Sequence, residues 1–144
     1  MTRPNKNTKQ VGQLAVAKAI SYFTELGWMV FLPITDRGDI DIIVSPDGKK
    51  LYRVQCKYTS KIHVEMWRKY RKKVFEVDLR QVKKRKSNTS ELYYTKDSFD
   101  ILFILTGDAS VYIVDWVKLC EEYGKIPTIL RLGKKIEKFL LKFS

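Results

Sequence analysis

The sequence of 144 residues predicts a single α/β domain, with a mixed central β-sheet and helices packed against it. Three observations support this prediction. Apolar residues recur at helical spacing in residues 8–26, alternate with polar residues around a turn in 39–58, and form a second pair of short runs in 99–114. A helix, a β-hairpin and a later pair of strands therefore follow one another along the chain.

The first two elements are a helix and a strand. On the helix at residues 8–26, Val16, Ile20 and Phe23 form an apolar stripe, and Gln13 lies one turn before it. We therefore expect Gln13 on the side of the helix that faces the sheet. Residues 28–33 are apolar almost throughout, which is typical of a central strand.

The next segment has the pattern of a β-hairpin. Ile40, Ile42 and Val44 alternate with their neighbours, which indicates a strand. The tripeptide Pro46-Asp47-Gly48 is a strong turn signal, and residues 51–58 follow it as the second strand.

Five further elements complete the predicted fold. Asp115 is a good N-cap residue before a short helical pattern, and Gly124 is a good residue to end it. The predicted elements are strands at 99–105 and 111–114, a helix at 116–123, a short strand at 129–132 and a terminal helix at 134–142.

The composition excludes several classes of protein. Hydrophobic residues make up 44% of the chain and charged residues 31%, which is typical of a globular domain. Two cysteines and one histidine are too few for a disulfide scaffold or a Cys/His zinc site. No apolar run approaches the ~20 residues that span a bilayer, so we expect a cytoplasmic protein with no membrane partner. The 28 basic and 16 acidic residues give a net charge of +12, which favours an acidic partner such as nucleic acid.

The positive charge is concentrated in residues 61–86. This segment has eleven basic and three acidic residues, a net charge of +8, with aromatic residues interleaved. Alternation within residues 74–80 permits a strand there. A solvated surface is the ordinary explanation of a charged run, but this density with aromatic residues favours a DNA-binding face. The candidate DNA-contacting residues are Arg68, Arg71, Lys72, Lys73, Arg80, Lys83, Lys84, Arg85 and Lys86.

Side-chain alternation in the hairpin brings chemically useful groups together. Gln55 and Lys57 point to one face of the second strand, and Asp39 and Asp41 share a face of the first. A hairpin can therefore set Asp41 beside Gln55 and Lys57. Carboxylate and amide oxygens suit a hard cation such as Mg²⁺, and the lysine can orient or deprotonate a water molecule or offset charge on a phosphate. This combination is suited to phosphodiester hydrolysis.

These residues resemble the PD-(D/E)XK nuclease superfamily, whose core carries an Asp and a (D/E/Q)-X-K triplet on a hairpin after a helix. The resemblance is carried by Gly12-Gln13, by Gly38-Asp39-Ile40-Asp41 and by Val54-Gln55-Cys56-Lys57. In having glutamine in this triplet, the sequence is similar to one branch of the superfamily, the group I intron homing endonucleases of the cyanobacterial type. The resemblance implies a restriction-endonuclease-like core within a single domain, residues 1–144. Its parts would be the core motifs at 8–58, a basic DNA-contacting insertion at about 61–96, and a second strand pair with helices at 97–144.

The resemblance also implies an activity. The expected protein is a Mg²⁺-dependent DNA endonuclease of the homing type, in which Mn²⁺ substitutes for Mg²⁺. Asp41, Gln55 and the backbone carbonyl of Cys56 would bind the metal, Lys57 would act on the water or the phosphate, and Gln13 would be a peripheral helper. The expected partner is double-stranded DNA, cut by a homodimer or homotetramer with one site for each strand. A prokaryotic, phage or intron-encoded origin is expected.

Two alternatives stay open at this point. Archaeal Holliday junction resolvases are similar over the same first third of the chain. The second alternative is a catalytically silent nucleic-acid-binding module on the same fold, because the family usually has Glu where Gln13 stands and an acid where Gln55 stands. Asp41 would then be the one carboxylate that matches the family pattern, with Asp39 as a candidate to compensate.

Overall fold

The computed structural model of the protein describes residues 8–36, 38–84 and 89–143. Its elements in chain order are α1 (Thr8–Glu25), β1 (Met29–Phe31), β2 (Ile42–Ser45), β3 (Tyr52–Thr59), β4 (Ile62–Trp67), β5 (Tyr70–Asp78), β6 (Arg80–Lys84), β7 (Thr89–Tyr93), β8 (Ile101–Thr106), β9 (Val111–Asp115), α2 (Trp116–Tyr123), β10 (Ile129–Arg131) and a 3₁₀ helix (Lys134–Phe139). Within the described ranges, no helix is long and apolar enough to cross a membrane.

The main sheet has five strands in the order β1-β2-β3-β8-β9. Strands β3 and β8 are parallel, and the other neighbours are antiparallel. The sheet is therefore mixed, and the predicted α/β fold is confirmed. The predicted β2–β3 hairpin and β8–β9 pair both form. Asp115 caps α2 through its side chain, and Gly124 ends α2 in the left-handed conformation with φ of 66°.

Both faces of the main sheet are covered. On β8, Ile101 and Phe103 pack with α1, whereas Leu102 and Ile104 pack against the opposite layer. This opposite layer contains side chains from β5, β10, α2 and the 3₁₀ helix. A strand that is buried on both faces is apolar at nearly every position, as β8 is from Ile101 to Leu105.

Two predicted features of the first third are wrong. The buried side of α1 carries Ala15, Ala19 and Phe23, all fully buried, whereas Gln13 is exposed. Small alanine side chains let the helix approach the sheet closely, so its stripe cannot be located from large residues alone. Strand β1 is not central but lies at the edge of the sheet, beside β2. An apolar run without alternation does not distinguish a buried strand from an apolar edge strand.

The basic segment forms two hairpins rather than one strand. Strands β4 and β5 pair antiparallel, and β10 joins β5 on its other side to make a three-stranded sheet. Strands β6 and β7 form a separate two-stranded sheet. The terminal helix predicted at 134–142 is shorter and has 3₁₀ geometry over Lys134–Phe139.

Glu76 ties the three-stranded sheet to the main one through its backbone, and its carboxylate links strands within the three-stranded sheet. The Thr59 hydroxyl, at the end of β3, donates to the Glu76 carbonyl at 2.5 Å. The Glu76 carboxylate has 8% side-chain exposure and lies 2.9 Å from Lys61 Nζ, 3.6 Å from Arg131 Nε and 3.7 Å from His63 Nδ1. The hydrogen bond from Lys61, with contributions from the other two bases, lowers the pKa of Glu76. Glu76 thus connects β3, β4, β5 and β10.

We expect Glu76→Gln to destabilise the protein in a pH-dependent way. Because the pKa of Glu76 is lowered in the folded state, its contribution to stability is present above the pKa of an unfolded glutamate and is lost as the pH falls through the folded value. The variant should therefore have a lower melting temperature at pH 7, and the difference should shrink on acidification. Thermal unfolding followed by circular dichroism at several pH values measures this. The control is Glu137→Gln, at an exposed position. A difference in melting temperature that stays constant down to low pH would contradict a lowered pKa of Glu76 in the folded protein.

Candidate active site

The candidate site lies where β2 separates from β3. The Asp41 N–H donates to the Val54 carbonyl at 2.9 Å, so the ladder between the two strands extends to Asp41. Beyond that point, the Cys56 N–H donates to Asp41 Oδ2 at 2.8 Å. A carboxylate oxygen thus takes the place of the next backbone acceptor. Because the N–H and C=O of one strand residue point the same way, the Cys56 carbonyl also points into the gap that opens where β2 and β3 separate.

Gln55, which precedes Cys56 on β3, has a buried side chain next to this gap. Its side chain is 5% exposed, and Oε1 has no hydrogen-bond partner among the described residues. The Nε2 group makes a long hydrogen bond, 3.4 Å, to the Cys56 carbonyl. A buried acceptor without a partner costs about 1–3 kcal/mol. Such a cost at a single buried oxygen is expected where the oxygen serves a ligand.

Lys57 shares the face of Gln55, since the two residues are two apart on β3. This face is opposite to that of Val54 and Cys56, which pack with α1. The ammonium group lies 5.2 Å from the centre of the Tyr94 ring. The structure therefore brings together the predicted acid, amide and lysine.

Electrostatic effects on Asp41 oppose one another. Burial raises the pKa of Asp41, and the nearby negative charge of Asp36 adds to this increase. The hydrogen bond from the Cys56 N–H and the positive charge of Lys57 act in the opposite direction. The net effect is a raised pKa. A bound cation would favour the ionised carboxylate and reverse this effect.

The donor atoms fit a magnesium ion. A carboxylate, an amide oxygen and a backbone carbonyl are hard oxygen ligands, and Mg²⁺ typically keeps several waters besides one or two protein ligands. In the part of the chain that the structure describes, no three His, Cys, Asp or Glu side chains form a group able to hold a metal. Asp41, Gln55 and the Cys56 carbonyl remain the candidate ligands predicted from the sequence, and their role as ligands stays a prediction.

The structure does not place every predicted site residue at this gap. Gln13 is exposed on α1, which packs against the face of the sheet opposite to Gln55 and Lys57. Sequence reasoning missed Asp36, whose charge acts on Asp41 and whose Oδ1 accepts a hydrogen bond from the Gly38 N–H at 2.8 Å. Its position just before the Asp39–Asp41 pattern was an available signal. It also missed the contact of Lys57 with Tyr94, which no local pattern reveals.

The predicted DNA-contacting residues lie in the two hairpins. Arg71, Lys72 and Lys73 are exposed on β5, and Arg68 is in the tight turn between β4 and β5. The Arg80 guanidinium donates to both carboxylate oxygens of Asp78, at 3.0 and 2.8 Å. Four further positions cannot be compared with the structure: Arg85 and Lys86, together with the side chains of Lys83 and Lys84, lie outside the described residues.

The fold and the site together define a protein of the nuclease class. A mixed sheet carries an acid, an amide and a lysine where two of its strands separate. A model of the PD-(D/E)XK endonuclease family matches residues 6–138. The chain therefore belongs to this family, and the resemblance inferred from the sequence is confirmed.

One solved structure is similar over most of the chain. It is described as a bacterial homing endonuclease, I-Ssp6803I, and superposes with a TM-score of 0.66 over 92% of this chain and 82% of that one. The two sequences are 21% identical, so this similarity shows a shared fold. No curated protein matches the chain significantly.

We expect Gln55→Met to stabilise the metal-free protein while impairing its function. Methionine keeps the length of the side chain and removes the unpaired oxygen, so the free energy of unfolding in EDTA should rise by about 1 kcal/mol. Urea unfolding measures this change. Gln55→Glu is the matched control, because it places a charge at the same buried position. That variant should be less stable than the wild type in EDTA and should recover on adding Mg²⁺. If Gln55→Met is instead destabilising, Oε1 has a partner and is not held for a cation.

Proposed function

We propose that the protein is a divalent-metal-dependent DNA endonuclease that hydrolyses phosphodiester bonds, with Mg²⁺ as the metal and Mn²⁺ able to replace it. The observation that carries the proposal is the hydrogen bond from the Cys56 N–H to Asp41, which holds this carboxylate against the strand that carries Lys57. The same strand carries the buried oxygen of Gln55, which has no partner among the described residues. The family supports the reaction class. The similarity to I-Ssp6803I supports a site-specific enzyme of the homing type.

The chain's own residues have distinct tasks in this reaction. The metal, when bound, supplies Lewis-acid polarisation of the phosphate and of the attacking water. The Cys56 N–H fixes one oxygen of Asp41, so the carboxylate is oriented before a ligand arrives. Lys57 places a positive charge where negative charge builds on the phosphate, or orients the water that attacks it. Preorganised groups of this kind accelerate the reaction because they need no rearrangement in the transition state.

The β4–β5 hairpin is the proposed DNA-binding surface. Its register pairs Arg71 with Met66 and Lys73 with Val64, so these four side chains share one face. Lys72 lies on the other face, directly opposite Glu65. The first face is therefore both cationic and without a carboxylate among these paired positions. Such a face suits the phosphate backbone of a duplex.

The turn of this hairpin supports the same assignment. Arg68 has φ of 53°, a conformation that non-glycine residues rarely adopt and that glycine or asparagine usually fills in a two-residue hairpin. A long basic side chain kept at a strained hairpin tip is expected where that side chain has a function. We propose that it contacts DNA.

Cutting both strands of a duplex requires two such sites. Each chain offers one arrangement of Asp41, Gln55 and Lys57, so the proposed working form is a homodimer or a homotetramer. Sedimentation of the protein with and without duplex DNA tests this part of the proposal.

We expect Asp41→Asn and Lys57→Met each to abolish DNA cleavage while leaving DNA affinity in EDTA nearly unchanged. Asparagine keeps an oxygen for the Cys56 N–H, and methionine keeps the apolar stem of the lysine, so both variants should fold. Loss of preorganised charge typically costs about 10²–10³ in rate. The assay uses a randomised duplex library, supercoiled plasmid and a synthetic four-way junction, each with Mg²⁺ and with EDTA.

The substrate pattern separates the open alternatives. Metal-dependent cutting at one long duplex sequence supports the homing type, and cutting of the junction without sequence preference identifies a resolvase. Binding without cutting in Mg²⁺ and Mn²⁺ identifies a silent binding module. Wild-type rates in either variant would show that the site is misassigned.

We expect the two faces of the hairpin to differ in DNA binding. Neutralising each phosphate contributes about 0.9 to the slope of log affinity against log salt. Lys73→Ala should reduce that slope by about one, and Arg71→Ala with Lys73→Ala by about two. The matched control is Lys72→Ala, which removes the same charge from the adjacent position on the other face and should change the slope little. Fluorescence anisotropy at several salt concentrations measures the slopes. Equal effects of Lys72→Ala and Lys73→Ala would contradict the assignment of this face.

A further inference from the structure

We propose that Tyr94 is a positioning residue for Lys57, whose ammonium group its aromatic ring holds at the candidate site. Lys57 Nζ lies 5.2 Å from the centre of the ring. This distance is within the range of about 6 Å over which an aromatic face attracts a cation. The catalytic meaning of the contact rests on the function proposed above, but the contact itself can be tested separately.

The ring of Tyr94 is itself firmly held. Tyr94 is 3% exposed and packs edge-to-face against Phe99, at 5.1 Å, and against Trp116, at 6.3 Å. The Trp116 indole N–H donates to the carbonyl of Thr95 at 2.9 Å, which fixes the backbone next to Tyr94. The Thr95 N–H in turn donates to the Ser98 hydroxyl at 2.8 Å. A ring anchored in this way can define the position of a mobile group that rests on it.

Lys57 needs such support because its stem is flexible and its charge has competing partners. The positive charge of Lys57 lowers the pKa of both Asp41 and Asp78, so both carboxylates lie within electrostatic reach. A four-carbon side chain between two acids can move toward either of them. Asp78 is already engaged by three hydrogen bonds from Arg80, two from its guanidinium and one from its N–H, which weakens its attraction for Lys57. The Tyr94 ring adds a fixed apolar wall with an electron-rich face, on which the ammonium can rest without pairing with either acid.

A purely structural role for Tyr94 makes a different prediction. Tyr94 is part of a core cluster that includes Phe99 and Trp116, and any large apolar side chain could fill that place. Packing depends on volume, whereas attraction of a cation depends on the aromatic face. Phenylalanine keeps the face, and leucine keeps an apolar side chain but has no face. These two variants therefore separate the two roles.

The kinetic test compares Tyr94→Phe with Tyr94→Leu. Single-turnover cleavage is measured with Mg²⁺ on a duplex that the wild type cuts, and DNA affinity is measured in EDTA. We expect Tyr94→Leu to lower the rate about 2- to 30-fold with unchanged DNA affinity, and Tyr94→Phe to keep most of the rate. Equal losses in both variants, or a wild-type rate in a folded Tyr94→Leu protein, would overturn the proposal.

The spectroscopic test does not depend on cleavage. In the wild type, the ring current of Tyr94 should shift the Lys57 Hε resonances upfield, and Tyr94→Phe should preserve this shift. It should disappear in Tyr94→Leu, or in Tyr94→Met if the leucine variant does not fold. Unshifted Lys57 resonances in the wild-type protein would refute the contact outright. A ring-shifted Lys57 in a protein that cuts no DNA would instead refute the proposed function and leave the contact standing.

Discussion

The organisation of the site depends on how the ladder between β2 and β3 ends. Just beyond the hydrogen bond from the Asp41 N–H to the Val54 carbonyl, the Cys56 N–H is satisfied by a carboxylate oxygen of Asp41 instead of a carbonyl. A buried N–H must have a partner, so the fold requires an acceptor at this point. The same requirement orients Asp41, directs the Cys56 carbonyl into the gap and leaves the following residue, Lys57, to continue β3 beyond its neighbour. A structural hydrogen bond thereby fixes the geometry of the groups proposed to act in catalysis.

The gap reduces stability in ways that a cation would reverse. Burial and the charge of Asp36 both disfavour ionised Asp41, and the Gln55 oxygen is buried without a partner among the described residues. Both costs fall on oxygen atoms of the kind that a hard cation binds. Proteins keep such unfavourable arrangements where function requires them, and the surrounding structure holds them in place. Here the support comes from a sheet covered on both faces, in which Val54 and Cys56 pack with α1 on one side of β3.

Local patterns predicted the hairpin and its chemistry because both depend on short-range rules. Turn residues and strand alternation were enough to place Gln55 and Lys57 on one face and Asp41 beside them. The orientation of α1 was not predictable in the same way, since Ala15 and Ala19 are buried through close helix–sheet contact rather than large apolar area. Nor was the edge position of β1, which depends on strand order. Tyr94 reaches Lys57 through a contact between residues far apart in sequence, and a single sequence contains no direct sign of it.

The basic segment is part of the core as well as a candidate DNA surface. Parallel strands such as β3 and β8 need a long crossover, which in many α/β proteins is a helix. Here the crossover consists of two hairpins, and Val77, Leu79 and Tyr94 from this crossover are buried against the main sheet. It therefore covers the sheet face to which Lys57 points, while its exposed strands carry the cations. Deleting the segment would remove part of this core layer and the candidate DNA surface at once. The role of the segment in DNA binding can be tested only with substitutions that change one face at a time, such as Lys72→Ala and Lys73→Ala.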